Sequence, residues 1–439
     1  MSIDVLVVGA GVSGLTVAST LARAGREVGV IEIADRAGGS AALSEGFVWT
    51  NPDADSFLAQ DPGGDVAKFQ AMRDEFDEAM AAIRALGIDV GPDLFRVLGY
   101  GEGNQIDIGR YLASAQRAVE GAGGWVLVRH EVVGLETADG AVVGAQLRDL
   151  DSGEILSVRT GTVVLATGGF QGSPELRTKY IGAWTRDILL RANAHSAGAG
   201  LRLGLDVGAA ESAGLEAFYG HLIPTPLPAE LWTPERYTPL SQYYSEHGVL
   251  LDTDGKRFVD ESLGDHVLVQ EVAKIGTALL FIDSAVWDQY ARTAFIPGMD
   301  LQDKIIDAQQ AGSHVSIADD LEQLTAPVGA WGFDRESVLA TLRRVQDENG
   351  GPDGTPLRQP PYALLEVQPA ITFTHGGLST DVEGHVLRVD GTSIEGLRAV
   401  GVDAGGLNMR GYTGGLVRGI TLGRVAARSI QSELDARAD

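Results

Sequence analysis

Residues 3–8 (IDVLVV) form an apolar run with the length of one buried strand, and Gly9-Ala-Gly11-Val-Ser-Gly14 follows without a gap. Apolar residues then recur at Leu15, Ala18, Leu21 and Ala22, so residues 9–25 read as a helix packed on one face, and residues 27–33 (EVGVIEI) read as a second strand. Strand, helix and strand within about 30 residues require a right-handed crossover and a parallel pair. The three glycines have separate tasks. Gly9 permits the tight turn, Gly11 lets a pyrophosphate approach the backbone, and Gly14 lets helix and strand touch. The amides of Val12 and Ser13 open the helix, where unpaired N–H groups and the helix dipole favour phosphate. Glu32 closes the second strand, where a carboxylate can accept ribose hydroxyls. This unit predicts a dinucleotide grip.

Two further segments extend the grip. After Glu32 and Ile33 comes Arg36-Ala-Gly38-Gly39-Ser40-Ala41, a turn that would pass under a pyrophosphate and ribitol. Near the other end, Gly401-Val-Asp403-Ala-Gly-Gly406 follows a strand expected over 397–401 and precedes a helix expected over 415–434, whose first residues are Gly415 and Leu416. Two phosphate-loop-like segments at opposite ends suit an extended flavin dinucleotide, FAD, more than NAD. Val132, in a strand over 125–135, and Ala166, Thr167 and Gly168, at the end of a strand over 162–167, complete the expected cofactor contacts. Helices are expected over 66–86 and 108–122, and a further strand over 142–150 after the turn Asp139-Gly140. Residues 224–361 differ: they hold most of the prolines, many aromatics and two acidic helical stretches. The expected architecture is therefore α/β, with a discontinuous Rossmann-like FAD-binding domain from 1–223 and 362–439 and an inserted α+β capping domain at 224–361.

Composition narrows the chemistry. Cysteine is absent, which excludes disulfides, thiolate-held metal clusters, thioether-linked haem and thiol catalysis. A net charge of −26 repels nucleic acid and anionic membrane. The apolar run at 3–8 is too short to span a bilayer and no basic stretch precedes it, so a cytoplasmic enzyme with no membrane span is expected.

Further motifs run through most of the chain: Val164-Leu-Ala-Thr-Gly-Gly-Phe170, Gly198-Ala-Gly200-Leu-Arg-Leu-Gly204, Gly248-Val-Leu-Leu-Asp-Thr-Asp-Gly-Lys-Arg-Phe258-Val-Asp-Glu261, Thr374-His-Gly-Gly-Leu378 and Gly423-Arg424. With the glycine-rich start they resemble the fumarate reductase and 3-ketosteroid dehydrogenase superfamily of flavoproteins. The resemblance implies an FAD domain assembled from both chain ends and capped by the middle domain, with the active site between them. It also implies hydride exchange between flavin N5 and one carbon while a proton moves at the neighbouring carbon.

The resemblance places site residues individually. Dicarboxylate reductases carry an arginine proton donor, and ketosteroid dehydrogenases a tyrosine base, where this chain has Asp265 in Arg257-Phe-Val-Asp-Glu261-Ser-Leu-Gly-Asp265-His266. A carboxylate there suits proton abstraction if burial raises its pKa. Asp265 also fits an exposed turn beside Gly264, and His266 is the alternative base. His221, in Leu215-Glu-Ala-Phe-Tyr-Gly-His221, falls on the reductases' substrate-binding histidine; their second such histidine falls on Phe373, with His375 two positions on. The arginine clamp falls on Tyr412 and the acidic relay pair near Gln242 and Ser245, which weakens a dicarboxylate reading. Tyr412-Thr-Gly-Gly415 instead resembles the ketosteroid dehydrogenases' element, in which a tyrosine hydroxyl and a glycine N–H hold a substrate carbonyl oxygen. Arg410 offers an alternative anion contact, and Tyr100, Tyr243 and Tyr244 are further pocket candidates.

The expectation that follows is an FAD-dependent dehydrogenase that introduces a C=C bond α,β to the carbonyl of a cyclic or steroid-like ketone. Asp265 or His266 is its base, and Tyr412 with Gly415 its oxyanion holder. The alternative is a reductase or dehydrogenase of a carboxylic acid, bound by Arg410 and His221. A third reading is a flavin-binding redox sensor or assembly subunit without catalysis. No histidine lies near Ser40, so the FAD is expected to be non-covalent. With no haem or iron–sulfur motif and no metal site, electrons would leave through a diffusible acceptor or a redox partner.

Overall fold

The computed structural model describes residues 2–97, 99–294 and 301–438. It divides into two compact units: Met1–Gly182 with Ala192–Phe218 and Phe373–Asp439, and Ala183–Arg191 with Tyr219–Thr372.

The first unit is built on a sheet with strands in the order His385–Leu387, Ser393–Ala399, Ile155–Leu165, Ser2–Val8, Val28–Ile31 and Trp125–Leu127. All pairs are parallel except the first. Ser2–Val8 is central and its residues 5–8 are buried on both faces, which explains why the run is uniformly apolar rather than alternating. Val5 and Val7 point into a core shared with the helices Val12–Arg23, Ile108–Gly121 and Gly415–Ala438. Leu6 and Val8 point the other way, against the antiparallel meander His130–Ala138, Ala141–Asp149 and Ile155–Leu165. The helix expected over 66–86 is two helices, Val66–Asp74 and Phe76–Ala85. The break falls at Glu75, a buried carboxylate clasped by Arg424 and Arg428 of the last helix. Hydrophobic spacing carries no sign of such a long-range ion pair.

The second unit has its own mostly antiparallel sheet. Tyr362–Thr374 pairs with Ala278–Ile282, Val315–Ala318, Phe218–Pro224 and Leu189–Leu190, and Val249–Leu251 lies outside Ala278–Ile282. These pairings shift the expected boundaries from 223/224 and 361/362 to 218/219 and 372/373, and bring residues 183–191 into the second unit. Composition marked the proline-rich stretch but missed the strands flanking it. Among the described residues no helix is long and apolar enough to cross a membrane.

Candidate active site

In the first unit the strand ends converge. Val8 leads into Gly9, Ile31 into Glu32, Leu165 into Ala166–Gly168 and Ala399 into Gly401–Asp403, all at the carboxyl edge of the parallel sheet. That edge is where open α/β sheets bind nucleotides. Gly9 has φ +106°, and a Cβ there would stand 2.3 Å from the Ala166 carbonyl oxygen; one on Gly14 would stand 1.9 Å from that of Gly9. Both positions exclude any side chain. Gly11 differs: nothing lies within 4 Å of where its Cβ would be. Its flank is open, the helix behind it has no side-chain cap, and Gly38 is bridged to it in parallel. Glu32 is 5% exposed and its two oxygens accept the Ala10 and Ala34 N–H groups at 2.8 and 2.9 Å. A held carboxylate with lone pairs to spare, an uncapped helix start and an open glycine flank fit an adenine dinucleotide.

The other expected contacts are distributed around this edge. Val12 and Ser13 occupy the first helical turn, and Ser13 lies against Gly401. Gly39, Ser40 and Ala41 lie in the turn Gly39–Leu43, where the Ser40 hydroxyl accepts the Asn193 N–H at 3.3 Å. Ile33 is half-buried beside Glu32; Val132 is buried in the core with Ile31, and Leu416 is buried in the first turn of the last helix. Asp403 binds protein rather than presenting a loop: its carboxyl accepts the Thr167 N–H and hydroxyl. Burial pushes it up to about 7, against backbone bonds from Thr167 and Gly168 and the charge of Arg418. Sequence reasoning did not single out Arg418, which is 2% exposed and bonds the Ala404 carbonyl. Glu32→Ala is expected to weaken FAD binding roughly 10–100-fold in titrations of the apoprotein, the effect of losing a charged hydrogen-bond acceptor.

Tyr412 also belongs to the first unit. Its ring meets Trp49 edge-on at 5.2 Å and Phe373 at 5.6 Å, and its carbonyl accepts the Tyr100 hydroxyl at 2.8 Å. Its hydroxyl accepts the Gly415 N–H at 2.9 Å. This corrects the expected oxyanion pair: the Gly415 amide is directed at the phenol, so Tyr412 and Gly415 form a relay. The amide at the helix start polarises the phenol and makes its O–H the stronger donor. His375 is fully buried and edge-on to Phe373, within the core. Arg410 is exposed, with its backbone N–H on Asp61.

The second unit holds the titratable cluster. Asp265 opens the helix Asp265–Ile275 and is 2% exposed, so the exposed-turn alternative fails. Its Oδ2 lies 2.5 Å from His221 Nδ1 and its Oδ1 accepts the Ser245 hydroxyl at 3.0 Å. Its partner is thus His221, brought across on the strand Phe218–Pro224, and not its neighbour His266, whose ring packs near Gly264. Burial pushes the Asp265 carboxyl up to about 7. Burial, reinforced by the cations Arg191 and Lys304, pushes the His221 imidazole well below its usual range. Both carboxylate oxygens are engaged, whereas His221 Nε2 has no hydrogen-bond partner among the described residues.

Tyr243 stands edge-on to His221 at 4.6 Å and accepts from Arg191 Nη2 at 2.8 Å. Tyr244, by contrast, is fully buried and donates to Gln242 at 2.7 Å, so it is a core residue rather than the expected substrate contact. Adjacent tyrosines carry the same sequence signal, and only the fold separates them. Arg191 and Lys304 were not legible at all.

The chain belongs to the FAD binding domain family, which it matches over residues 4–98 and 100–415. Its fold is shared with a flavocytochrome c3 fumarate reductase at a TM-score of 0.68 and 20% identity, covering 98% of this chain and 78% of that one. It is 26% identical to NADH:acrylate oxidoreductase of Vibrio harveyi, over 73% of this chain and 32% of that protein. It is 27% identical to 3-oxosteroid 1-dehydrogenase of Mycobacterium tuberculosis, over 76% of this chain and 65% of that protein. The chain thus spans less than two thirds of these relatives. Its fold matches 3-ketosteroid delta1-dehydrogenase from Sterolibacterium denitrificans with a TM-score of 0.76 at 16% identity, covering 98% of this chain and 100% of that one.

Proposed function

We propose that the protein is an FAD-dependent oxidoreductase acting on a CH–CH bond, and that it dehydrogenates a ketone α,β to its carbonyl, the substrate being cyclic or 3-ketosteroid-like. The buried Asp265–His221 pair is the observation that carries the reading, because a C–H beside a carbonyl loses its proton only to a base placed against it. FAD, held without a covalent bond, supplies the two-electron acceptor, and a diffusible acceptor or redox partner in the cytoplasm removes the electrons. Gly9, Gly11, Gly14, Glu32 and the turn at Gly38–Gly39 hold its dinucleotide half.

The proton step follows from the pair's geometry. With Asp265 ionised, the imidazole proton sits on Nδ1, pinned by Oδ2, and Nε2 is bare and accepts the substrate proton. With Asp265 protonated, the carboxyl donates to Nδ1, the ring proton moves to Nε2, and His221 becomes a donor. Tyr412, backed by the Gly415 N–H, donates to the carbonyl oxygen as negative charge develops there. Dehydrogenation therefore rises with pH through about 7 as Asp265 ionises, and reduction of the enone falls over the same range. A profile of kcat/KM against pH in both directions checks this, and parallel profiles contradict it.

The second reading is a reductase or dehydrogenase of a carboxylic acid, with the exposed Arg410 and the buried His221 as its anion contacts. Anaerobic flavin bleaching by a panel of cyclic ketones, steroids and carboxylic acids tests the ketone reading. Bleaching by ketones supports it, and bleaching by none of the panel returns the chain to the redox-sensor reading.

A further inference from the structure

In a chain with 60 acidic and 34 basic residues, buried cations are expected to find carboxylates. Two in the second unit do not. Arg191 is half-buried; its guanidinium donates to the hydroxyls of Ser241 at 3.2 Å, Thr372 at 3.5 Å and Tyr243 at 2.8 Å, and lies 5.6 Å from the centre of the Tyr237 ring. Lys304 is 2% exposed; its Nζ donates to the Thr238 carbonyl at 2.7 Å and lies 4.8 Å from the centre of the Tyr243 ring. Among the described residues neither forms an ion pair with a carboxylate. Both converge on Tyr243, whose ring also packs on His221. The cluster thus has two cations on one phenol beside the proton-transfer histidine, and the nearby Asp265 is committed to His221 and Ser245.

We propose that Arg191 and Lys304 form an anion subsite that binds a carboxylate of the substrate, so that the ketone oxidised here is an oxo acid. This rests on the reading of His221 and Asp265 as the proton-transfer pair. An incoming carboxylate supplies the direct ion-pair partner that neither cation has among the described residues, and Arg191 offers planar donors while Lys304 offers a point charge. Neither residue was marked by any sequence motif, because each is an ordinary basic residue until the fold brings it to Tyr243.

Lys304 gives the subsite a second signature. It faces Asp307 on its own helix, the Thr238 carbonyl, the Tyr243 ring, Arg191 and Asp265, and burial lowers it to about 7. A carboxylate beside it raises that value, so binding above pH 7 takes up a proton and weakens as pH rises.

The test uses the FAD-loaded protein and two near-isosteric probes, cyclohexanecarboxylate and cyclohexanecarboxamide, with affinities from calorimetry in two buffers of different ionisation enthalpy. The carboxylate is expected to bind about tenfold or more tightly than the amide, the scale of one charge-assisted contact, with proton uptake at pH 8. Arg191→Met and Lys304→Met should each remove most of that preference, while Lys304→Arg retains it and loses the proton uptake. Equal affinity for the two probes, no carboxylate binding, or a preference that survives both methionine variants overturns the proposal. Asp265→Asn separates the two claims. If it keeps the carboxylate preference but also keeps full turnover, the proton-transfer reading fails and the subsite stands.

Discussion

Asp265→Asn is expected to lower turnover by about 10²–10⁴-fold, the range for loss of a positioned acid–base group, while FAD stays bound. An amide at position 265 can donate its N–H to Nδ1, which forces the ring proton onto Nε2 and removes the acceptor, so the geometry survives and the tautomer is wrong. Stability should move the other way. Burial raises the Asp265 pKa from the ordinary ~4 of an unfolded aspartate to about 7 in the folded state. In that window the folded state binds more protons, so wild-type stability is fullest below the unfolded value and is lost as pH climbs to the folded one. The neutral asparagine escapes that loss. Its melting temperature at pH 8 should therefore equal or exceed that of the wild type, with less advantage at pH 5. Kinetics, flavin absorbance and thermal melts at both pH values check the three parts. Full activity in a folded, flavin-loaded variant removes the pair from catalysis.

Tyr412→Phe is expected to lower kcat about 10²-fold, the cost of one oxyanion donor, with a smaller effect on KM. The phenyl ring keeps its contacts with Trp49 and Phe373, so the packing persists. Only the hydroxyl goes, leaving the Gly415 N–H without the acceptor it has at 2.9 Å. Tyr412→Ala would blur this by also emptying the aromatic cluster, so the phenylalanine variant is the informative one. A KM effect with unchanged kcat would make Tyr412 a binding contact rather than a group that acts as charge develops.

The two substitutions probe different kinds of placement. Tyr412 and Gly415 lie three residues apart, and their partnership is nearly local: a turn delivers the hydroxyl to the first amide of a helix. His221 and Asp265 are 44 residues apart, and their contact exists because one strand and one helix start are packed together. Arg191, Tyr243 and Lys304 span a longer stretch still and meet only around one ring.

What the sequence determined by itself is the local geometry proposed to grip the dinucleotide. Gly9, Gly11 and Gly14 stand around a single turn, and the Glu32 carboxylate accepts the Ala10 N–H of that turn, so their order and spacing already state their geometry. The tertiary structure decided everything that depends on burial and on partners distant in the chain. It broke the helix at Glu75, committed Asp403 to Thr167, placed Tyr244 in the core and Tyr243 beside His221, and joined Asp265 to His221 rather than His266. A pKa near 7 on Asp265 and two cations without carboxylates arise from desolvation and three-dimensional proximity. Neither quantity is a property of a residue's neighbours in sequence, which is why the cofactor was legible in the first residues and the pairing of Asp265 with His221 was not.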